Sequence, residues 1–458
     1  MYVPRIDRLL GIDVYATETS GIGGVIRQFV DDFAVEEVLV DGSKAKIGRA
    51  AESQVLMASP YRQRYLLCVL VKRNWDTFIA IKNIAKQLGI SQEQISIAGI
   101  KDAKAVTAQH ITIEHGSMED ISKINVKDIE VYPVGYFREK LSQYYLLGNN
   151  FKVRIKAIHH SESTIKKRIA GTIKELKAVG GFPNFFGHQR FGTTRPITHL
   201  VGKAIVKGDF EKAGMLFLAQ PSGYEHPSSR EARRELQSKQ DFNRALQNFP
   251  KQLRYERLML SHLIEKPGDF IGAFKRLPVR LQELFVQAYQ SYLFNRFLSE
   301  RIRNGFSLNT AEVGDYIVNM ERSGVPMTKT GRVGSADALA ETNESIKMGR
   351  MQVTLPLVGT KQRLSQGIMG QIETQILEAE GVKTGNFRID AIPEISGRGQ
   401  LRTVTAPIEN FELRGVSASA DRPRERQAEL EFMLLRGSYA TVLLREIMRP
   451  RNPVSAGF

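Results

Sequence analysis

In "FKVRIKAI" (151–158), Phe151, Val153 and Ile155 alternate with Lys152, Arg154 and Lys156, the two-residue period of a half-buried strand with a basic outer face. "FAVEEVLV" (33–40) carries a second strand signal, and the apolar run "YLLCVLV" (65–71) reads as a buried strand. Between the strands at 33–40 and 151–158, "NWDTFIAIKNIAKQLGI" sets Ile81, Ile84, Ala85 and Leu88 at helical spacing, with Asp76 or Thr77 as cap and Gly89 as stop. A second helix within 161–181 aligns Ile165, Ile169, Ile173 and Leu176 and ends at a double glycine. The first 180 residues therefore read as strands alternating with helices.

Beyond that point the pattern changes. Residues 182–280 are helical and basic, and Pro278 opens a helix that places Leu281, Leu284, Phe285, Ala288 and Tyr292 on one face before Gly305 ends it. Short strands and Gly-rich loops fill 311–410. The last fifty residues alternate again in "AELEFMLLRGSYATVLLREIM" and could complete the first sheet, which would make the middle an insertion. The stretch 415–427 reads as an exposed, flexible loop.

Composition narrows the classes. The 458 residues are 42% hydrophobic, ample for two cores, and the longest apolar run is far short of the roughly 18 to 20 residues of a membrane span. The N-terminus lacks a secretory pattern, so the cytoplasm is the expected compartment. The single cysteine, Cys68, lies in the apolar strand and reads as a structural thiol. The eight histidines have no ligand spacing, so no metal site is expected. A net charge of +16 points to a polyanionic partner, nucleic acid first.

GxxxxGK[ST], GxSxG and HExxH are absent, and "GIGGVIRQF" (21–29) reads as a tight turn leading into the strand at 33–40 rather than a phosphate loop. Three aromatic-polar clusters stand out: "LLGNNFKVRI" (146–155), "GFPNFFGHQRFGTTRP" (181–196) and "FVQAYQSYLFNRF" (285–297). Rings beside Arg, Asn and Gln can hold unstacked bases, although helical spacing assigns most aromatics of the third to a core. In "GIKDAKAVTAQH" (99–110), Asp102 stands between Lys101 and Lys104. A solvated turn, a cation-binding carboxylate and a nucleophile beside a polyanion all fit that placement.

"GIKDAKAVTAQH", "LLGNNF", "NFFGHQRFG", "VQAYQSYLFN" and "GSYATVLLREIM" together resemble, in order, the TruD family of tRNA pseudouridine synthases in its archaeal form, over nearly the whole chain. Phe185 departs from the tyrosine frequent in that family. The resemblance implies an α+β protein: a pseudouridine synthase catalytic domain (1–183 and 406–458) with a mixed, mostly antiparallel sheet and a central cleft, interrupted by an inserted α/β TRUD domain (184–405). It implies Asp102 as nucleophile with Arg27 approaching it, Asn149 and Phe151 holding the target uracil, and uridine 13 of tRNA as the target. Gln189 and Arg190 are further RNA-contact candidates, or hold the two domains together. Lys101 and Lys104 would meet phosphates unless they are simply solvated. No cofactor is implied.

The chemistry fits those residue types. Uracil must leave C1′ of its ribose, turn and reattach through C5, which calls for a nucleophile rather than a water-activating pair. Attack at C1′ and at C6 both remain open. Burial can raise a carboxylate pKa by about 3 to 5 and a nearby cation lower it by about 1 to 3, so Arg27 is expected to offset burial of Asp102 and to orient it. A non-catalytic RNA-binding protein and a hydrolase releasing uracil are the rival readings.

Overall fold

The computed structural model describes residues 2–48, 55–419, 422 and 424–458. Strands β1 (Phe33–Leu39), β2 (Tyr65–Arg73), β3 (Ile95–Ile97), β4 (Val106–Glu114), β5 (Ile129–Phe137) and β6 (Leu146–Ile158) come first. The helix Thr77–Leu88 crosses over from β2, its first turn capped by Asp76, which accepts hydrogen bonds from the amides of Phe78 and Ile79. After the helix Glu162–Ala178 the chain leaves through the short strand β7 (Phe182–Pro183). A run of helices from Thr198 to Arg303 follows, then a smaller sheet of β8 (Tyr316–Met320), β9 (Pro326–Val333), β10 (Met351–Leu357) and β11 (Gln400–Thr403). Strand β12 (Thr405–Ala406) returns antiparallel to β7, so the outgoing and returning chain lie side by side. Finally β13 (Glu409–Ala418) and β14 (Arg426–Leu435) rejoin the first sheet, ahead of the helix Ala440–Met448.

The large sheet runs β13-β14-β6-β1-β4-β2-β5, with β3 also on β4. Only the β1–β4 pairing among the described strands is parallel, giving the mixed, mostly antiparallel α+β architecture expected from the sequence. Phe151, Val153 and Ile155 point inward, packing with Phe33 of β1, Phe432 of β14 and the Ile165, Ile169, Ile173 and Leu176 stripe of the helix Glu162–Ala178. That core runs without a break into Leu293, Phe294 and Phe297 of the helix Val279–Arg303. The basic face of β6 is not a free cationic surface, because Lys152, Arg154 and Lys156 pair with Glu36, Glu429 and Asp32. Cys68 is buried in β2.

Two expectations need correction. The helix Val279–Arg303 buries far more than one stripe: Val286, Tyr289, Leu293 and Phe294 are as inaccessible as Phe285 and Ala288. It is a central helix packed on several sides, where a single-stripe reading no longer applies. The stretch 415–427 is not a loop throughout, since Gly415 to Ala418 continue β13 and Arg426 and Gln427 begin β14. Residues 420, 421 and 423 of the expected loop lie outside the described residues.

Candidate active site

The parallel pairing at the centre of the sheet makes the site. Ala34 aligns with Val106, so the segments preceding β1 and β4 emerge at the same end. Arg27 lies on the first segment and Asp102 on the second. Arg27 Nη2 stands 3.3 Å from Asp102 Oδ2. The guanidinium lies over the Phe33 ring, 4.1 Å from its centroid, and its Nη1 donates to the Gly457 carbonyl at 3.5 Å.

Antiparallel pairing of β6 with β1 brings in the next two residues, Asn149 opposite Glu37 and Phe151 opposite Val35. A side chain at Gly148 would meet the Leu434 carbonyl of β14 at 2.2 Å, so the "GNNF" glycine lets β14 approach and fixes where Asn149 falls. Asn149 Oδ1 is buried without a partner. Phe151 is buried, its ring stacked on Phe432 at 5.5 Å and edge-on to Phe33 at 6.0 Å.

These residues line one cleft of about 210 Å³ together with Ile100, Gln189, Ser438, Tyr439 and Thr441. Gln189 is tied there by a 3.1 Å hydrogen bond from Thr441 Oγ1 to its Oε1. Asp102 is the one carboxylate among the described residues of the lining. Its side chain is 38% exposed, so the buried carboxylate expected from the sequence is not found in the free protein.

The loop bearing Asp102 is held from beneath. Lys101 is turned inward, its Nζ 2.6 Å from Glu37 Oε1, while Thr77 Oγ1 binds both the amide and the carbonyl of Lys101 at 3.2 Å. Burial pushes the Glu37 carboxyl up, but the Lys101 ammonium and the His110 ring outweigh it and hold it well below the usual carboxylate range. Lys101, expected to meet a phosphate or to be solvated, thus has its ammonium committed to Glu37: a buried carboxylate without that ammonium would be strongly unfavourable. Lys104 is exposed.

Arg190 is not brought into the cleft. The tight turn His188–Arg190 rotates successive side chains by about 120°. Gln189 faces Thr441, whereas Arg190 donates to Ser291 Oγ at 3.2 Å and Gln287 Oε1 at 3.1 Å on the helix Val279–Arg303. The sequence reading missed Phe33, Ile100, Tyr439 and Thr441. Tyr439 and Thr441 sit in the quoted block "GSYATVLLREIM" without a role, and the alternation of β1 marks Phe33 only as core.

Residues 9–447 match the sequence model of the family described as tRNA pseudouridine synthase D (TruD). Among relatives carrying that name, one from Methanosarcina barkeri is 40% identical over 452 residues, 98% of each chain. Another from Thermococcus onnurineus is 37% identical over 436 residues, 95% of this chain and 97% of its own. A Methanosarcina mazei crystal structure bearing the same name superimposes with a TM-score of 0.83 at 38% identity, covering 99% of this chain and 100% of that one. The chain belongs to the tRNA pseudouridine synthase D (TruD) family.

Proposed function

We propose that this protein isomerises uridine to pseudouridine within tRNA, at position 13, with Asp102 as the nucleophile. The observation that carries the reading is a single carboxylate facing a single guanidinium in a cleft with no second acid among its described residues. Glycosidic hydrolysis by paired carboxylates needs two acids flanking the bond. One carboxylate that attacks and leaves again suits a base that is detached and returned to its own ribose.

The target uridine must be extruded, at about a few kcal/mol for a paired nucleotide, and base stacking returns about 1 to 3 kcal/mol. Phe151 already stacks on Phe432, so an entering base extends an existing stack. The unpartnered Asn149 Oδ1 suits an N–H donor on the uracil edge. Gln189 and Lys104 remain RNA contacts in this reading, whereas Arg190 donates to Ser291 and Gln287 within the inserted unit. Residues 184–405 form the inserted unit, supported by the β7–β12 pairing where the chain leaves and returns.

Unmodified tRNA transcripts with uridine or cytidine at position 13, incubated with the protein and mapped for pseudouridine by chemical modification and sequencing, test reaction and site together. Asp102→Asn is expected to bind tRNA while forming product at less than about a thousandth of the parent rate. Undiminished product would remove Asp102 as nucleophile, and free uracil would favour hydrolysis.

A further inference from the structure

Strand β2 carries a charge where its pattern calls for an apolar residue. Lys72, near the end of "YLLCVLVKR" (65–73), is inaccessible to solvent between Thr107 of β4 and Ile129 of β5. Buried ammonium groups are ordinarily paired with carboxylates. Lys72 Nζ instead donates to two main-chain carbonyls, Trp75 O at 2.7 Å and Asp102 O at 2.8 Å. It ties the turn before the helix Thr77–Leu88 to the peptide of Asp102, while Thr77 binds the preceding peptide of Lys101 on both its edges.

We propose that Lys72 is a positioning residue for the reaction: its ammonium fixes the Asp102 carbonyl, and through it the orientation of the attacking carboxylate toward the cleft. The inference rests on the reading of Asp102 as nucleophile. A charge-assisted bond is shorter and stronger than one from a neutral donor, and positional errors of about 1 Å in a reacting group can lower rates by about 100-fold. An apolar side chain at position 72 would fill the core but leave both carbonyls unpaired.

The charge is kept against the preference of its surroundings. Burial pushes the Lys72 ammonium down to about 8, with Asp102 and Asp76 pulling it back up and Lys101 pushing it further down. Its sheet neighbours Thr107 and Ile129 are uncharged. From about pH 8 to the ordinary lysine value of about 10.4, the folded protein has lost a proton that the unfolded chain retains, so this group makes the fold more stable as pH rises. The hold on Asp102 weakens over the same range. Rate and stability should therefore move in opposite directions, which a lysine kept only for structure would not produce.

The test is single-turnover pseudouridine formation on an unmodified tRNA transcript from about pH 6 to about pH 9.5, with tRNA affinity and thermal stability measured in parallel. Wild type is expected to slow by up to about tenfold per pH unit above about pH 8 while its melting temperature does not fall with it. Lys72→Met is expected to be about 10- to 100-fold slower at neutral pH, without the alkaline fall and with tRNA affinity within about twofold of wild type. Lys72→Arg, whose guanidinium stays charged throughout, should move the alkaline fall out of range and recover part of the rate. The proposal is overturned by a flat wild-type profile, by the same alkaline fall in all three proteins, or by a Lys72→Met rate within about twofold of wild type. Should Lys72→Met not fold, wild type and Lys72→Arg decide. Asp102→Asn, assayed alongside, reports on the nucleophile itself: activity there removes the underlying reading, whereas an inactive Asp102→Asn with an indifferent Lys72 removes this proposal alone.

Discussion

Arg27 reaches Asp102 from a left-handed backbone, φ 57°, that costs an L-residue about 1 to 2 kcal/mol. Its guanidinium is fixed by the Phe33 ring and the Gly457 carbonyl as well as by the carboxylate. With Asp102 more than a third exposed, there is little burial to offset, so in the proposed reaction Arg27 orients the carboxylate. Arg27→Met should therefore lower the single-turnover rate by about 10- to 100-fold with little change in tRNA affinity. Arg27→Lys should fall between, because an ammonium keeps the charge but not the planar fork; an Arg27→Met rate equal to wild type across neutral pH would refute the pairing's role. The link between positions 27 and 102 was legible only through the order of family motifs. What joins them physically is the parallel β1–β4 register, and no spacing rule exposes that. Lys101 misled for a related reason: its partner Glu37 lies on β1, so adjacency to Asp102 in sequence said nothing about which way its side chain turns.

At the scale of elements, the sequence was most informative where an element has one wet side and one dry side. The helices Thr77–Leu88 and Glu162–Ala178 meet that condition, and their inward residues, with the Asp76 and Gly89 caps of the first, are those the pattern assigns. The helix Val279–Arg303 does not. Buried on several sides, it mixes apolar contacts with buried polar ones, including Asn295, which donates to the Leu10 and Phe186 carbonyls and accepts from the Phe186 amide. Its partner helix Thr198–Val206 crosses it at Gly202, where an added Cβ would fall 1.9 Å from the Phe285 carbonyl oxygen. Gly202→Ala should consequently destabilise the protein by about 3 kcal/mol, seen as a lowered denaturation midpoint with an unchanged denaturant slope. A midpoint at or above wild type would show that the two helices can separate without penalty. A sequence pattern marks that glycine only as a weak helix former.

For the whole molecule, net charge indicates the kind of partner but not where it sits. The +16 is the excess of 65 Lys and Arg over 49 Asp and Glu, and it does not say which cations are free, since several are committed within the fold: Lys101 to Glu37, Arg233 to Glu225 and Glu256, Arg301 to Asp315, and Arg445 to Asp7. In the proposed reading RNA meets exposed cations, and Lys104, two residues beyond Asp102 in sequence, is exposed. If tRNA binding neutralises about 6 to 10 phosphates, affinity should fall by about 1,000- to 100,000-fold between about 50 and 200 mM salt. Lys104→Gln should then flatten the slope of log affinity against log salt by about one, leaving the rate at saturating tRNA unchanged. Lys101→Met supplies the contrast. Removing that buried cation strands the Glu37 carboxylate, so it should destabilise the fold by about 3 to 5 kcal/mol while leaving the salt slope as it was. Two lysines three residues apart, alike in sequence, would thus separate cleanly, one in a binding titration and the other in a melting curve. A slope insensitive to Lys104→Gln would place the RNA backbone elsewhere on the surface.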